Sequence, residues 1–180
     1  MSQAYDFDKA IRKVPDFPKK GILFYDITSL VADPKALRAV KAAMISFYKD
    51  KKLSKIVSVE SRGFLFAPLL AEALEIPLVL ARKKGKLPNP THSQSYELEY
   101  GSDHLEIQKV DIDKGERVLI IDDLIATGGT LKAVCQMIEG KFQAEVVGLF
   151  AIIGLPFLNY EKTLAPHEVH TLINYDTEHT

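Results

Sequence analysis

The chain has 180 residues, 47% of them hydrophobic and 26% charged, enough to bury a full core in one domain and too apolar for a disordered chain. Its 23 basic and 24 acidic residues leave a formal net charge of −1, which gives no basis for general attraction to a nucleic-acid backbone, although a local basic patch could hold a small polyanion. A single cysteine excludes an internal disulfide and paired-cysteine zinc, and the absence of an apolar signal region or bilayer-length apolar run makes the cytoplasm the expected location.

Residues 5–14 place Phe7, Ala10, Ile11 and Val14 at helical spacing, predicting a first helix that stops at Pro15. An arm punctuated by Pro15, Pro18 and Gly21 follows, and Ile22 to Ile27 is an apolar and aromatic stretch suited to covering a ligand or fastening the arm to the core. Asp33-Pro34 reads as an N-cap with proline in the first turn, and Leu37, Val40, Lys41, Met44, Ile45 and Tyr48 support an amphipathic helix. Ile56–Val59 predicts a short buried strand, Phe64–Leu74 a helix with Pro68 near its start, and Leu78–Ala81 another strand. A basic stretch broken by glycine and proline then suggests a mobile surface loop, here placed at about 84–104, with Glu97, Glu99 and Tyr100 on two solvent-edged strands joined by a turn.

Val118-Leu119-Ile120-Ile121 does not alternate, as expected of a parallel strand covered on both faces, and it opens into Asp122-Asp123-Leu124-Ile125-Ala126-Thr127-Gly128-Gly129-Thr130. From Leu131 the spacing of Leu131, Val134, Cys135 and Ile138 predicts a helix with one buried stripe, so the loop would sit at its positive N-terminus and Cys135 in the core. Backbone N–H groups, glycines and threonine hydroxyls suit a phosphate, and two adjacent carboxylates suit ribose hydroxyls or a developing positive charge. The glycine spacing matches neither a Walker loop nor the dinucleotide fingerprint. Ala144–Ile153 predicts an interior strand, and Pro156–Tyr160 with Val169–Ile173 a terminal subdomain or cover; His167 and His170 read as surface residues rather than metal ligands. The alternation of strands and helices predicts an α/β fold with a mostly parallel sheet and ligand groups at the carboxyl ends of its strands.

The segment from Val118 to Thr130 resembles the phosphoribosyl diphosphate motif of the type I phosphoribosyltransferases: an apolar strand, two acidic residues and a Thr-Gly-Gly-Thr turn. Three further stretches extend the resemblance over nearly the whole chain and narrow it to the adenine-using branch of that family. They are Pro15–Pro18 with Gly21–Thr28, Glu60–Pro68 followed by Arg82–Pro88, and Ser95–Gly101 followed by Leu105–Gln108.

The resemblance implies one domain over residues 1–180, with an open, mostly parallel five-stranded sheet flanked by helices. A small hood would be formed by the arm (about 1–30) and the C-terminal part (about 152–180). It implies Mg2+-dependent transfer of the 5-phosphoribosyl group from phosphoribosyl diphosphate to adenine, giving AMP and pyrophosphate, by a homodimer in which basic-loop residues reach the neighbouring site. No nucleic acid or membrane partner is implied. Carried onto this sequence, Ala126, Thr127, Gly128, Gly129 and Thr130 bind the 5-phosphate, and Asp122 and Asp123 hold the ribose. Arg62, Arg82, Lys83 and Lys86 face the pyrophosphate, while Leu23, Phe24, Tyr25 and Arg62 face adenine, with Ile152–Leu155 across from them. Glu99 and Tyr100 are the catalytic pair, and magnesium is held mainly by substrate and water. The chain departs from the family pattern at Lys20, Tyr25, Glu60 and Gly154, so the base side is its least typical part and guanine or hypoxanthine stays as an alternative acceptor. A silent sensor of phosphoribosyl diphosphate is the second class of function, against which stands the lack of a DNA-binding pattern.

Overall fold

The computed structural model describes residues 5–97 and 102–177. Its centre is a sheet in which β4 (Leu78–Lys83), β3 (Lys55–Val59), β7 (Arg117–Ile121), β9 (Glu145–Gly154) and β10 (Val169–Asn174) lie side by side and parallel. This is the expected five-stranded parallel core. At one edge an antiparallel hairpin, β5 (Thr91–Glu97) and β6 (Ser102–Gln108), continues the sheet through the end of β4. The two-residue β8 (Leu124–Ile125) pairs with the end of β9.

The absence of alternation in the central strands has its reason in the packing. Val57, Val59, Val118, Ile120, Leu149 and Ala151 point to one face, beneath α5 (Gly129–Met137) and α6 (Tyr160–Leu164). Ile56, Leu119, Ile121, Phe150 and Ile152 point to the other, beneath α3 (Pro34–Tyr48) and α4 (Ala67–Leu74). Each such side chain removed from water is worth about 1.5–3 kcal/mol, so the two-sided core holds the strand ends in place. The long helix α3 begins as expected, with Asp33 accepting a hydrogen bond from Lys35 N (2.8 Å) ahead of Pro34. It buries Ala36, Val40, Met44 and Tyr48, while Lys41 reaches across to Glu72 of α4 at 2.5 Å. Cys135 is buried on α5, where desolvation pushes its thiol up to about 12, consistent with an inert core residue. No helix among the described residues is long and apolar enough to cross a membrane.

Three expectations are corrected. The first helix, expected over 5–14, is one turn, α1 (Phe7–Ala10), capped by Asp6; Arg12–Pro15 instead forms β1. That strand pairs antiparallel with β2 (Leu23–Asp26), a ribbon that satisfies the backbone where Pro15 bars a helix. The basic stretch read as loop includes the regular hairpin strand β5, whose partner β6 supplies the ladder hydrogen bonds. The last strand, expected as part of a cover, is the edge of the central sheet, because β9 has an open side on which Val169–Asn174 adds in parallel register.

Candidate active site

Parallel neighbours bring the carboxyl ends of β3, β7 and β4 to one edge, and the sequence places its charged residues there. Asp122 and Asp123 follow β7. Asp122 N donates to Phe150 O (2.9 Å), Asp123 O accepts from both Ile152 N and Ile153 N (3.1 Å each), and Asp123 N donates to Asp122 Oδ1 (2.8 Å). Both carboxylates are buried, 9% and 4% exposed. Arg62, at the start of a 3-10 turn (Arg62–Leu65) after β3, brings Nε to 3.0 Å from Asp123 Oδ2. The contact is ionic rather than a directed hydrogen bond, so that buried oxygen receives none from the described residues. Burial first, then the neighbouring charge of Asp123, holds the Asp122 carboxyl well above the ordinary range; burial raises Asp123 too, opposed by Arg62.

This pair destabilises the ligand-free fold at neutral pH. Between the ordinary carboxyl pKa near ~4 and the raised folded values, the native state binds more protons than the unfolded one, so stability falls as pH rises through that window. Asp122→Asn keeps the acceptor for Asp123 N and removes the charge. It is expected to raise Tm at pH 7, by about 2–4 °C for each kcal/mol relieved, and to give no such gain at pH 4; melting curves at the two pH values check this.

The expected phosphate loop follows directly. Gly128, with φ of +83°, turns the chain into α5, and its missing Cβ leaves room for Leu164, which one would meet at 3.0 Å. Asp122, Ala126, Thr127, Gly128, Gly129 and Thr130 line a cavity of about 100 Å³ at the N-terminus of that helix. A larger cavity of about 620 Å³ adjoins it, shared by Thr127 and Gly129 with Ser95, Tyr96 and Lys132. The ribose and phosphate candidates are thus contiguous, and Arg62 joins them through Asp123.

Two of the basic candidates, Arg82 and Lys83, stand at the end of β4, each held by an acid. Arg82 Nε donates to Glu60 Oε2 (3.2 Å) and Nη1 to Lys86 O (3.2 Å), Lys83 N donates to the same Glu60 oxygen (2.9 Å), and Lys83 Nζ lies 3.0 Å from Asp103 Oδ2. Lys86 is exposed on the turn. On the opposite wall, β2 alternates: Phe24 turns toward Arg62, whose guanidinium carbon is 5.9 Å from the ring centre, and Tyr25 turns into the core, 6% exposed. The expectation that the Tyr25 side chain faces the base is corrected: its ring is packed in the core, stacked on Tyr175. Glu99 and Tyr100, the expected catalytic pair, lie outside the described residues.

Sequence reasoning missed two contributors. Glu60, in the sequence a member of the Glu60–Pro68 stretch and a departure from the family pattern with no role of its own, anchors Arg82 and Lys83; its position after an apolar strand is the available signal. Gly63 was not singled out. A Cβ on it would lie 2.9 Å from Ile121 O and 3.1 Å from Asp122 Cα, so its missing side chain lets the Arg62 turn close onto the end of β7.

Residues 26–171 match the model of the phosphoribosyl transferase domain. The chain is 53% identical over 171 residues to an adenine phosphoribosyltransferase of Treponema denticola, covering 95% of this chain and 90% of that one. Among solved structures it is similar to the adenine phosphoribosyltransferase of Thermoanaerobacter pseudethanolicus, with TM-score 0.89, 42% identity and coverage of 93% and 97%. It is also similar to that of Trypanosoma brucei in complex with AMP, pyrophosphate and ribose-5-phosphate, with TM-score 0.85, 29% identity and coverage of 96% and 81%.

Proposed function

The chain belongs to the phosphoribosyltransferase family, among its adenine-using members, and from that membership we infer that it transfers the 5-phosphoribosyl group of phosphoribosyl diphosphate to adenine, yielding AMP and pyrophosphate in purine salvage. The observation that carries this reading is the buried Asp122, with Asp123 next to it in the chain, lining one small cavity with Ala126 to Thr130 at the start of α5, a place for a sugar diol beside a phosphate.

In this reading Ala126 to Thr130 hold the 5-phosphate and Asp122 and Asp123 accept hydrogen bonds from the ribose hydroxyls. Anchoring at that remote end fixes C1 between base and leaving group, which makes the displacement effectively intramolecular. Arg62, Arg82, Lys83 and Lys86 receive the departing pyrophosphate, which competes with Glu60 and Asp103 for Arg82 and Lys83. Leu23 and Phe24 present backbone groups and apolar cover to adenine, with Ile152–Leu155 across the cleft. A base with the wrong polar edge would leave partners unsatisfied at about 1–3 kcal/mol each. Glu99 takes the proton of the incoming ring nitrogen, and Tyr100 orients the closed loop or leaving group. The β5–β6 hairpin, in the stretch expected as a loop over about 84–104, excludes water while the sugar is activated.

Magnesium fits the donor set: carboxylate oxygens, one of them without a hydrogen bond, beside the ribose they would hold. Held mainly by the diphosphate, the ribose hydroxyls and water, it would neutralise charge on the leaving group. The arm (about 1–30) forms the hood, while of the C-terminal part (about 152–180) expected to join it the ends of β9 and β10 belong to the central sheet; the working unit is a homodimer with basic-loop residues reaching the neighbouring site, and the location is the cytoplasm.

The test is to mix protein, Mg2+ and phosphoribosyl diphosphate with adenine, guanine or hypoxanthine and follow nucleotide and pyrophosphate. Adenine-selective AMP formation is expected. Equal turnover of all three bases would sink adenine specificity, and tight binding of the sugar diphosphate with no nucleotide from any base would mark a sensor.

A further inference from the structure

Tyr25 and Tyr175 stack face to face, with ring centres 3.9 Å apart and planes within 12°. Tyr175 follows β10, and its N–H donates to Gly154 O (3.0 Å), tying it to the end of β9. Its hydroxyl donates to Asp8 Oδ1 (2.7 Å), the same carboxylate that Lys13 Nζ approaches at 2.9 Å, and Lys13 lies directly across the ribbon from Tyr25. Lys13 Nζ also stands 5.3 Å from the centre of the Tyr175 ring. A closed circuit therefore joins α1, β1, β2 and the segment after β10. Gly154 leaves the space beside it: a Cβ there would fall 2.3 Å from Asn174 Oδ1 and 2.6 Å from Tyr160 OH.

The preceding residue of β2 is Phe24, on the other face of the strand, toward Arg62 and hence Asp123. Moving the Tyr25 ring moves Phe24 with it, because neighbours on a strand share one backbone and point to opposite sides. We propose that Tyr175 is a positioning residue for the base-binding wall: its stack on Tyr25, tied through Asp8 and Lys13, sets the distance of Leu23 and Phe24 from Arg62, and so governs affinity for the purine without touching it. The sugar side is held by β7, β8 and α5 on the central sheet; the circuit meets it only at Gly154, which pairs with Ile125 of β8, and does so through the backbone N–H of Tyr175, which a side-chain substitution leaves in place.

The proposal rests on the transferase reading, and steady-state kinetics on the full chain separate the two. Tyr175→Ala should raise KM for adenine about tenfold, the order expected from losing one aromatic pair, while kcat and KM for phosphoribosyl diphosphate stay within about twofold. Tyr175→Phe keeps the stack and should restore KM for adenine to within about threefold of the parent. Tyr25→Leu and Tyr175→Leu keep apolar volume and lose the stack, carrying the same selective rise at smaller amplitude should Tyr175→Ala not fold. No AMP from the parent chain would overturn the function itself. AMP formation with an unchanged adenine KM in the stack-breaking variants, or with both KM values rising together, would overturn the brace alone.

Discussion

Gly63→Ala is expected to cut kcat/KM by about 100-fold, the scale of loss that a misplacement near 1 Å produces in a preorganised site. The added Cβ meets Ile121 O at 2.9 Å and Asp122 Cα at 3.1 Å, and both are backbone atoms of the sheet's central strand end, which cannot rotate away as a side chain would. The turn carrying Arg62 must yield instead, drawing Arg62 away from Asp123 and opening the pyrophosphate side. Gly140→Ala is the matched control, since nothing lies within 4 Å of a Cβ there. Kinetics and a thermal melt on both variants check the expectation; a Gly63→Ala protein within threefold of the parent would show that the close approach is dispensable.

Glu99→Gln is expected to lower kcat by about 10²–10³ with both KM values near those of the parent, the pattern of losing a proton acceptor used in the transition state. The amide keeps size and polarity but cannot take the proton of the incoming nitrogen. The acid limb of the kcat–pH profile should vanish with it, a readout that loss of packing would not change. Tyr100→Phe, which removes only a hydroxyl, should cost less, about tenfold, the worth of one hydrogen bond. A Glu99→Gln enzyme keeping more than a third of its kcat would move the proton-handling role elsewhere.

The parts of the molecule that could be read in advance are those where one local pattern has one physical solution. Val118–Ile121 lacks alternation because both its faces are covered, and Asp33-Pro34 can hardly be anything but a helix start. The acidic pair and the glycine–threonine turn were legible for the same reason: strand end, turn and helix N-terminus are consecutive in the chain. What escaped depends on contacts between distant segments. Phe7, Ala10, Ile11 and Val14 fit a helix, yet Arg12–Pro15 is claimed by a ribbon with Leu23–Asp26, since pairing with a partner outweighs a four-residue periodicity. Val169–Asn174 carries no mark that distinguishes a cover from a sheet edge; only the open side of β9 decides. Glu60 and Gly63 matter through Arg82 and Asp122, 22 and 59 positions away, and no spacing rule reaches that far.

The circuit between Asp8 and Tyr175 also bears on how the molecule is made. Synthesis proceeds from the N-terminus, so β3, β4, β7 and the phosphate turn emerge before β10, and Tyr175 comes 150 residues after the Tyr25 it stacks upon. A growing chain can assemble the sugar-holding half of its sheet while the arm still lacks its anchor. The anchor of the purine side is thus among the last parts to be synthesised, and until it arrives the arm carries its exposed Phe17 and Ile22 unfastened.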